Sequence, residues 1–123
     1  MLKGGSGNLG IVTNIELRTF PQGDIWGGYV QYDNSSTPQL ARALSRFTAN
    51  IAQDPRALLV TFWTYNTFTN ENLVSTAMYY TEPAEHPSAF HEYYAIDNIS
   101  STTHTRSLRD LVTELPDSTN GFR

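Results

Sequence analysis

The stretch KGGSGNLGIVTNIELRTFP, Lys3 to Pro21, places four glycines within seven residues, Gly4, Gly5, Gly7 and Gly10. Gly5-Ser6-Gly7-Asn8-Leu9-Gly10 spells G-x-G-x-x-G, the lettering of a dinucleotide-binding loop. That loop works only between a strand and a helix, because the pyrophosphate rests on the helix N-terminus. Three residues precede Gly4, too few for a buried strand. After Gly10, Ile11, Thr13, Ile15 and Leu17 alternate with Val12, Asn14, Glu16 and Arg18, which is the period of a half-buried strand. The Rossmann reading therefore fails. Two alternatives stay open for the glycines: a loop presenting backbone N–H groups to an anionic or heteroaromatic ligand, or a tight turn or loose terminus.

Beyond Pro21 the pattern predicts a second strand at about Ile25 to Tyr32, with Trp26, Val30 and Tyr32 on one face. Thr37-Pro38 reads as a helix start, and Leu40, Ala43, Leu44, Phe47 and Ile51 share one face of a helix running to about Gln53. Leu44 and Phe47 are expected in the core. Leu58 to Tyr65 and Leu73 to Tyr80 read as an antiparallel pair. A short helical stretch carries Phe90, Tyr93 and Tyr94. A last helix is expected from Thr103 to Leu115, with Leu108, Leu111, Val112 and Leu115 on one side. Asn120-Gly121-Phe122-Arg123 looks like a turn entering a further strand. The order β-β-α-β-β-α gives an α+β class with an antiparallel sheet and helices on one face. From Ile25 onward the same order is that of a split βαβ, ferredoxin-like module without its last strand.

Composition narrows the function. With 123 residues, 39% hydrophobic and 16% charged, the chain is an ordinary globular length. Its formal charge is −4 and its eight basic residues are scattered, so nucleic-acid binding is not expected. There is no cysteine, hence no disulfide, thiolate metal site or thiol chemistry. No apolar run reaches the length of a membrane span, and Met1-Leu2-Lys3-Gly4 lacks the apolar core of a signal peptide. Sequons at Asn34 and Asn98 are compatible with a secreted parent. His86 and His91 are five apart, the wrong step for one helix face, so no metal site is expected. His104, Ser107 and Asp110 lack any nucleophile-elbow context and read as a solvated helix face. The aromatics Trp26, Tyr29, Tyr32, Phe62, Trp63, Tyr65, Tyr79 and Tyr80 read first as core; as a group they also suit an apolar pocket.

GGSGNLGIVTNIELRTFP resembles the segment that closes the flavin domain in FAD-linked oxidases of the berberine bridge enzyme-like group, within the vanillyl-alcohol oxidase/p-cresol methylhydroxylase superfamily, fungal members especially. That family reads Gly-Gly-Gly-x-Asn-Phe-Gly-Ile-Val-Thr at this point. Gly4, Gly5, Gly7, Asn8, Gly10, Ile11, Val12 and Thr13 match it; Ser6 and Leu9 depart. The resemblance implies that residues 1–21 end an FAD-binding domain and 22–123 begin a substrate domain whose sheet roofs the isoalloxazine. It implies FAD as cofactor, with Gly4, Gly5, Gly7, Asn8, Gly10, Ile11 and Val12 as its contacts. It implies hydride transfer from a small organic substrate (sugar, alcohol or aromatic) to flavin, with oxygen as reoxidant. The family's flavin-attaching histidine lies upstream of this segment and its tyrosine motif downstream, so a fragment without its catalytic base is expected. A free-standing ferredoxin-like binding or assembly module is the rival reading.

Overall fold

The computed structural model describes residues 10, 11, 13–67 and 70–114. Strand β1 spans Ile25–Asp33, helix α1 Thr37–Asn50, strand β2 Ala57–Asn66 and strand β3 Glu71–Tyr80. A short helix α2 follows at His91–Tyr94, then two brief strands, β4 at Ser100–Ser101 and β5 at His104–Arg106, and helix α3 at Leu108–Glu114. The class is α+β. All the strand pairs are antiparallel, in the order β2-β3-β1-β4, with β5 continuing the edge along β1. Chain order β-α-β-β-α-β in that sheet order is the split βαβ arrangement with its last strand present.

Two expectations are corrected. The period-two run from Ile11 to Leu17 forms no strand within the described residues. A strand exists only as a ladder, and neither sheet edge pairs with this segment. Ile11 is 93% exposed and Leu17 81%. The last helix starts at Leu108, not Thr103, because His104–Arg106 pairs with β1 instead. Ser107 marks the true start: its Oγ accepts from the Asp110 N–H at 3.2 Å and donates to Asp110 Oδ2 at 2.7 Å. Ser-x-x-Asp here does the work of a capping box. Leu111 is buried, whereas Leu108 and Val112 are exposed; Leu115 and the turn expected at 120–123 lie outside the described residues.

The core fills the space between one sheet face and α1 with α2. Trp26, Val30 and Tyr32 of β1, Val74 and Met78 of β3, and Leu59 of β2 meet Leu40, Ala43, Phe90 and Tyr93. Phe90 sits between two rings, stacked on Trp26 and on Phe47 at centroid distances of 5.8 Å each. Leu44 and Phe47 are only partly buried against this cluster, and Ile51 is exposed. Ile51 opens a 3₁₀ turn, Ile51–Gln53, whose tighter step rotates it off the α-helical face.

Gly27 and Gly28 let neighbouring backbone close on β1. A Cβ on Gly27 would lie 2.6 Å from Met78 O, and one on Gly28 2.7 Å from Thr102 O. The Thr102 N–H donates to Tyr29 O at 2.8 Å, and the Tyr29 N–H to Thr102 Oγ1 at 3.0 Å. The edge strand is held there even where the regular ladder lapses between β4 and β5. Burial ranks the α1 side chains: Leu40→Ala should cost about 2–5 kcal/mol. Phe47→Ala should fall below the ~3–5 kcal/mol of a fully buried ring. Denaturant midpoints of the two variants check the order, and an equal or reversed ranking contradicts this packing.

Candidate functional site

Of the residues that the sequence offered as cofactor contacts, Gly4, Gly5, Gly7, Asn8 and Val12 lie outside the described residues. Gly10 has φ +137°, a conformation that disfavours side chains, and a Cβ there would meet nothing within 4 Å. Ile11 beside it is exposed, as are Ile15, Leu17 and Phe20 farther along. Gln22 Nε2 ties this extended segment to Thr81 O at 3.0 Å.

The sheet has one covered and one open face. Strand alternation puts Trp26, Gly28, Val30 and Tyr32 under the helices, and Gly27, Tyr29 and Gln31 on the other side. The register then lays out rows across the open face. Leu58, Tyr79, Gly27 and His104 form one; Val60, Ala77 and Tyr29 the next; Phe62, Ser75, Gln31 and Ser100 a third. Leu58 is 53% exposed, Phe62 48% and Val60 38%. Tyr29 and Tyr79 meet edge to face at 6.3 Å, and Tyr79 leans over the space that Gly27 leaves. On β4, Ser100 Oγ donates to Gln31 Oε1 at 3.1 Å. Polarity therefore changes across the face, from aliphatic and aromatic at the β2 edge to hydrogen-bonding at β4 and β5.

The eight aromatics divide accordingly. Trp26, Tyr32 and Tyr80 are core. Tyr29, Tyr79 and Phe62 belong to the open face, while Trp63 and Tyr65 are exposed near the β2–β3 turn, where the Tyr65 hydroxyl donates to Asn70 Oδ1 at 2.7 Å. The histidines are separate. His86, at φ +50°, packs edge-on against Tyr94 at 5.1 Å; His91 Nδ1 is 3.0 Å from Ser88 O. His104 lies on a strand, and Ser107 and Asp110 bond to each other rather than to it. Among the described residues no group of three or more metal-ligating side chains converges, and no helix is long and apolar enough to cross a membrane.

On the covered side a cleft of about 420 Å³ opens between α1 and α2, with Arg46, Phe47, Asp54 and His91 in its wall. Arg46 bonds Glu92 at 3.3 Å across it. The Arg56 guanidinium, 2.8 Å away, holds the Asp54 carboxyl below the usual carboxylate range. These groups are paired and solvated, and they pin the α1–β2 corner.

Over nearly its whole length the chain is similar to parts of longer fungal proteins. It is 67% identical, over 99% of its residues, to 23% of the FAD-dependent monooxygenase drtC of Aspergillus calidoustus. It is 44% identical, over 92% of its residues, to 24% of the FAD-dependent monooxygenase sdcF of Emericella nidulans. A third relative, named oligopeptidase PhomG' in Diaporthe leptostromiformis, is 39% identical over 86% of the chain but only 9% of its own length. The chain thus spans about a quarter, or less, of the curated relatives it matches. No family model and no solved structure matches it.

Burial governs three tyrosines on the covered side. It pushes the Tyr32 and Tyr94 phenols well above their ordinary value and that of Tyr93 up to about 12. Their neutral forms are favoured in the fold, so their contribution is complete below about pH 10, the unfolded value, and is lost as pH rises through the folded values. In an alkaline titration followed by phenolate absorbance, three of the seven tyrosines should ionise only as far-UV ellipticity falls. Ionisation of all seven near pH 10 with the fold intact would contradict their burial.

Proposed function

We propose that this chain is part of an FAD-linked oxidoreductase of the berberine bridge enzyme-like group. On this reading residues 1–21 complete an FAD-binding domain, and 22–123 begin the substrate domain. The open sheet face is the observation that carries it: with Leu58, Val60 and Phe62 exposed beside Tyr29 and Tyr79, it suits a lid over a ring-bearing ligand. The similarity to segments of FAD-dependent monooxygenases supports the cofactor.

The residues fit FAD at the one described part of the loop. Gly10 offers its main chain without a side chain in the way, and Ile11 supplies an uncovered apolar flank. Gly4, Gly5, Gly7, Asn8 and Val12 complete the proposed contact set. Bound FAD supplies the hydride acceptor for an organic substrate, with oxygen as the proposed reoxidant. The chain's own part is to exclude water with Leu58, Val60 and Phe62 and to present Tyr29 and Tyr79 to a bound ring. The βαββαβ order among the described residues also suits the rival, a ferredoxin-like binding module without catalysis, and purification of the full-length protein without flavin would favour it.

The distinguishing experiment uses the full-length protein. Gly7→Val and Gly10→Val place a β-branched side chain where backbone approach is proposed, and Gly10 also has a φ that such residues avoid. Both purified variants should lose most of the flavin absorbance of the wild type while keeping its far-UV spectrum. Normal flavin content in both variants contradicts the cofactor loop.

A further inference from the structure

We infer that Asn98 is an N-linked glycosylation site, the attachment point of an oligosaccharide headed by an N-acetylhexosamine. The chain has two candidate acceptors, Asn34-Ser35-Ser36 and Asn98-Ile99-Ser100, and both carry serine in the third position, so the motif does not rank them. The structure does, through the reach of the bonds each triplet makes. Asn34–Ser36 is a 3₁₀ turn. Asp33 Oδ1 accepts from the Ser35 N–H at 2.8 Å, the Asn34 carbonyl accepts from the Thr37 N–H, and Asn34 Oδ1 accepts from the Thr37 hydroxyl at 3.3 Å. Bonds between such near neighbours form without the rest of the fold, so this triplet closes on itself while the chain is still open. Asn98 lies in the loop between α2 and β4, and its triplet bonds only to a distant strand. The Ile99 N–H donates to Gln31 O at 2.7 Å and Ser100 Oγ to Gln31 Oε1 at 3.1 Å. Both bonds wait until β4 meets β1. Until then nothing local competes with an acceptor that must present its amide and hydroxyl together, and β-branched Ile99 favours extended chain.

The folded domain also leaves room for the product. Asn98, Ile99 and Ser100 are all exposed, and the Asn98 amide has no hydrogen-bond partner among the described residues. Asn98 stands in the wall of a shallow cleft of about 370 Å³, beside Ser35, Ser36, Gln39 and Asp97. A first sugar seated there finds hydroxyl, amide and carboxylate partners, and it shields Ile99, which is 59% exposed. In the transfer Asn98 Nδ2 bonds to the anomeric carbon of the sugar. The bond from that carbon to the oxygen of a lipid diphosphate breaks, the amide gives up one proton, and the lipid diphosphate leaves with the electron pair. The donor, a lipid-diphosphate-linked oligosaccharide, is met in the secretory route, so the proposal sends the full-length protein along that route.

The test uses the full-length protein made in a filamentous fungus with its natural N-terminus. The purified protein is denatured and treated with peptide N-glycosidase in heavy-oxygen water, which turns each glycosylated asparagine into an isotope-labelled aspartate. Trypsin then puts the two triplets on separate peptides, 19–42 and 57–106, each with one sequon. Peptide 57–106 should carry the label in most molecules. Ser100→Ala, which keeps the asparagine and loses the hydroxyl, should abolish the label, and Ser100→Thr should keep it. No label on 57–106 in the wild type, label on 19–42 alone, or label retained in Ser100→Ala overturns the proposal. The readout needs no bound flavin, so it succeeds or fails independently of the FAD reading.

Discussion

The double ladder of β1 organises this domain. On one side it pairs with β3 from Trp26 to Asp33, and on the other with β4 and β5. A central strand must approach both neighbours closely, and at Gly27 and Gly28 it does so at distances that exclude any side chain. Met78 O occupies the space on one side and Thr102 O on the other. The same strand sends Trp26, Val30 and Tyr32 into the core. Register, edge closure and core packing therefore meet in nine residues, Ile25–Asp33.

One consequence is an asymmetric sheet. The covered face is sealed by rings, with Trp26, Phe90 and Phe47 in series and the Tyr32 hydroxyl donating to Tyr93 O at 3.5 Å. On the open face Leu58, Val60 and Phe62 stay partly in water. Each half-exposed Leu58, Val60 or Phe62 forgoes hydrophobic stabilisation of about 25 cal/mol for every Å² left in water. Contiguous apolar surface of that kind is usual where a ligand or another body settles. That cost is consistent with a face kept open for binding.

Much of this was legible from periodicity. Alternation located β1, β2 and β3 to within a residue or two, and the i, i+3, i+4 pattern located α1, because each is long and contrasts apolar with polar positions. Ile11 to Leu17 has the same alternation without a strand, since period two records a tendency to pair and not the presence of a partner. The strand at His104–Arg106 was missed because it is three residues long. Its signal was nonetheless present: Thr103 and Thr105 favour extended backbone, and Ser107 followed by Asp110 marks a later helix start. The site was less legible than the fold. Sequence could group eight aromatics but not divide them, since which face is open depends on where α1 and α2 settle.

The correction at Thr103 changes the chemistry available. On a helix, His104 would share a solvated surface with Ser107 and Asp110. On β5 it is instead level with Gly27, and its Nδ1 is committed to Thr102 O. The Gly28 approach that draws the Thr102 carbonyl toward β1 thus also fixes which imidazole nitrogen faces outward. The closure of the sheet edge and the orientation of the His104 ring therefore meet at a single carbonyl oxygen, which also accepts from the Arg106 guanidinium at 2.6 Å.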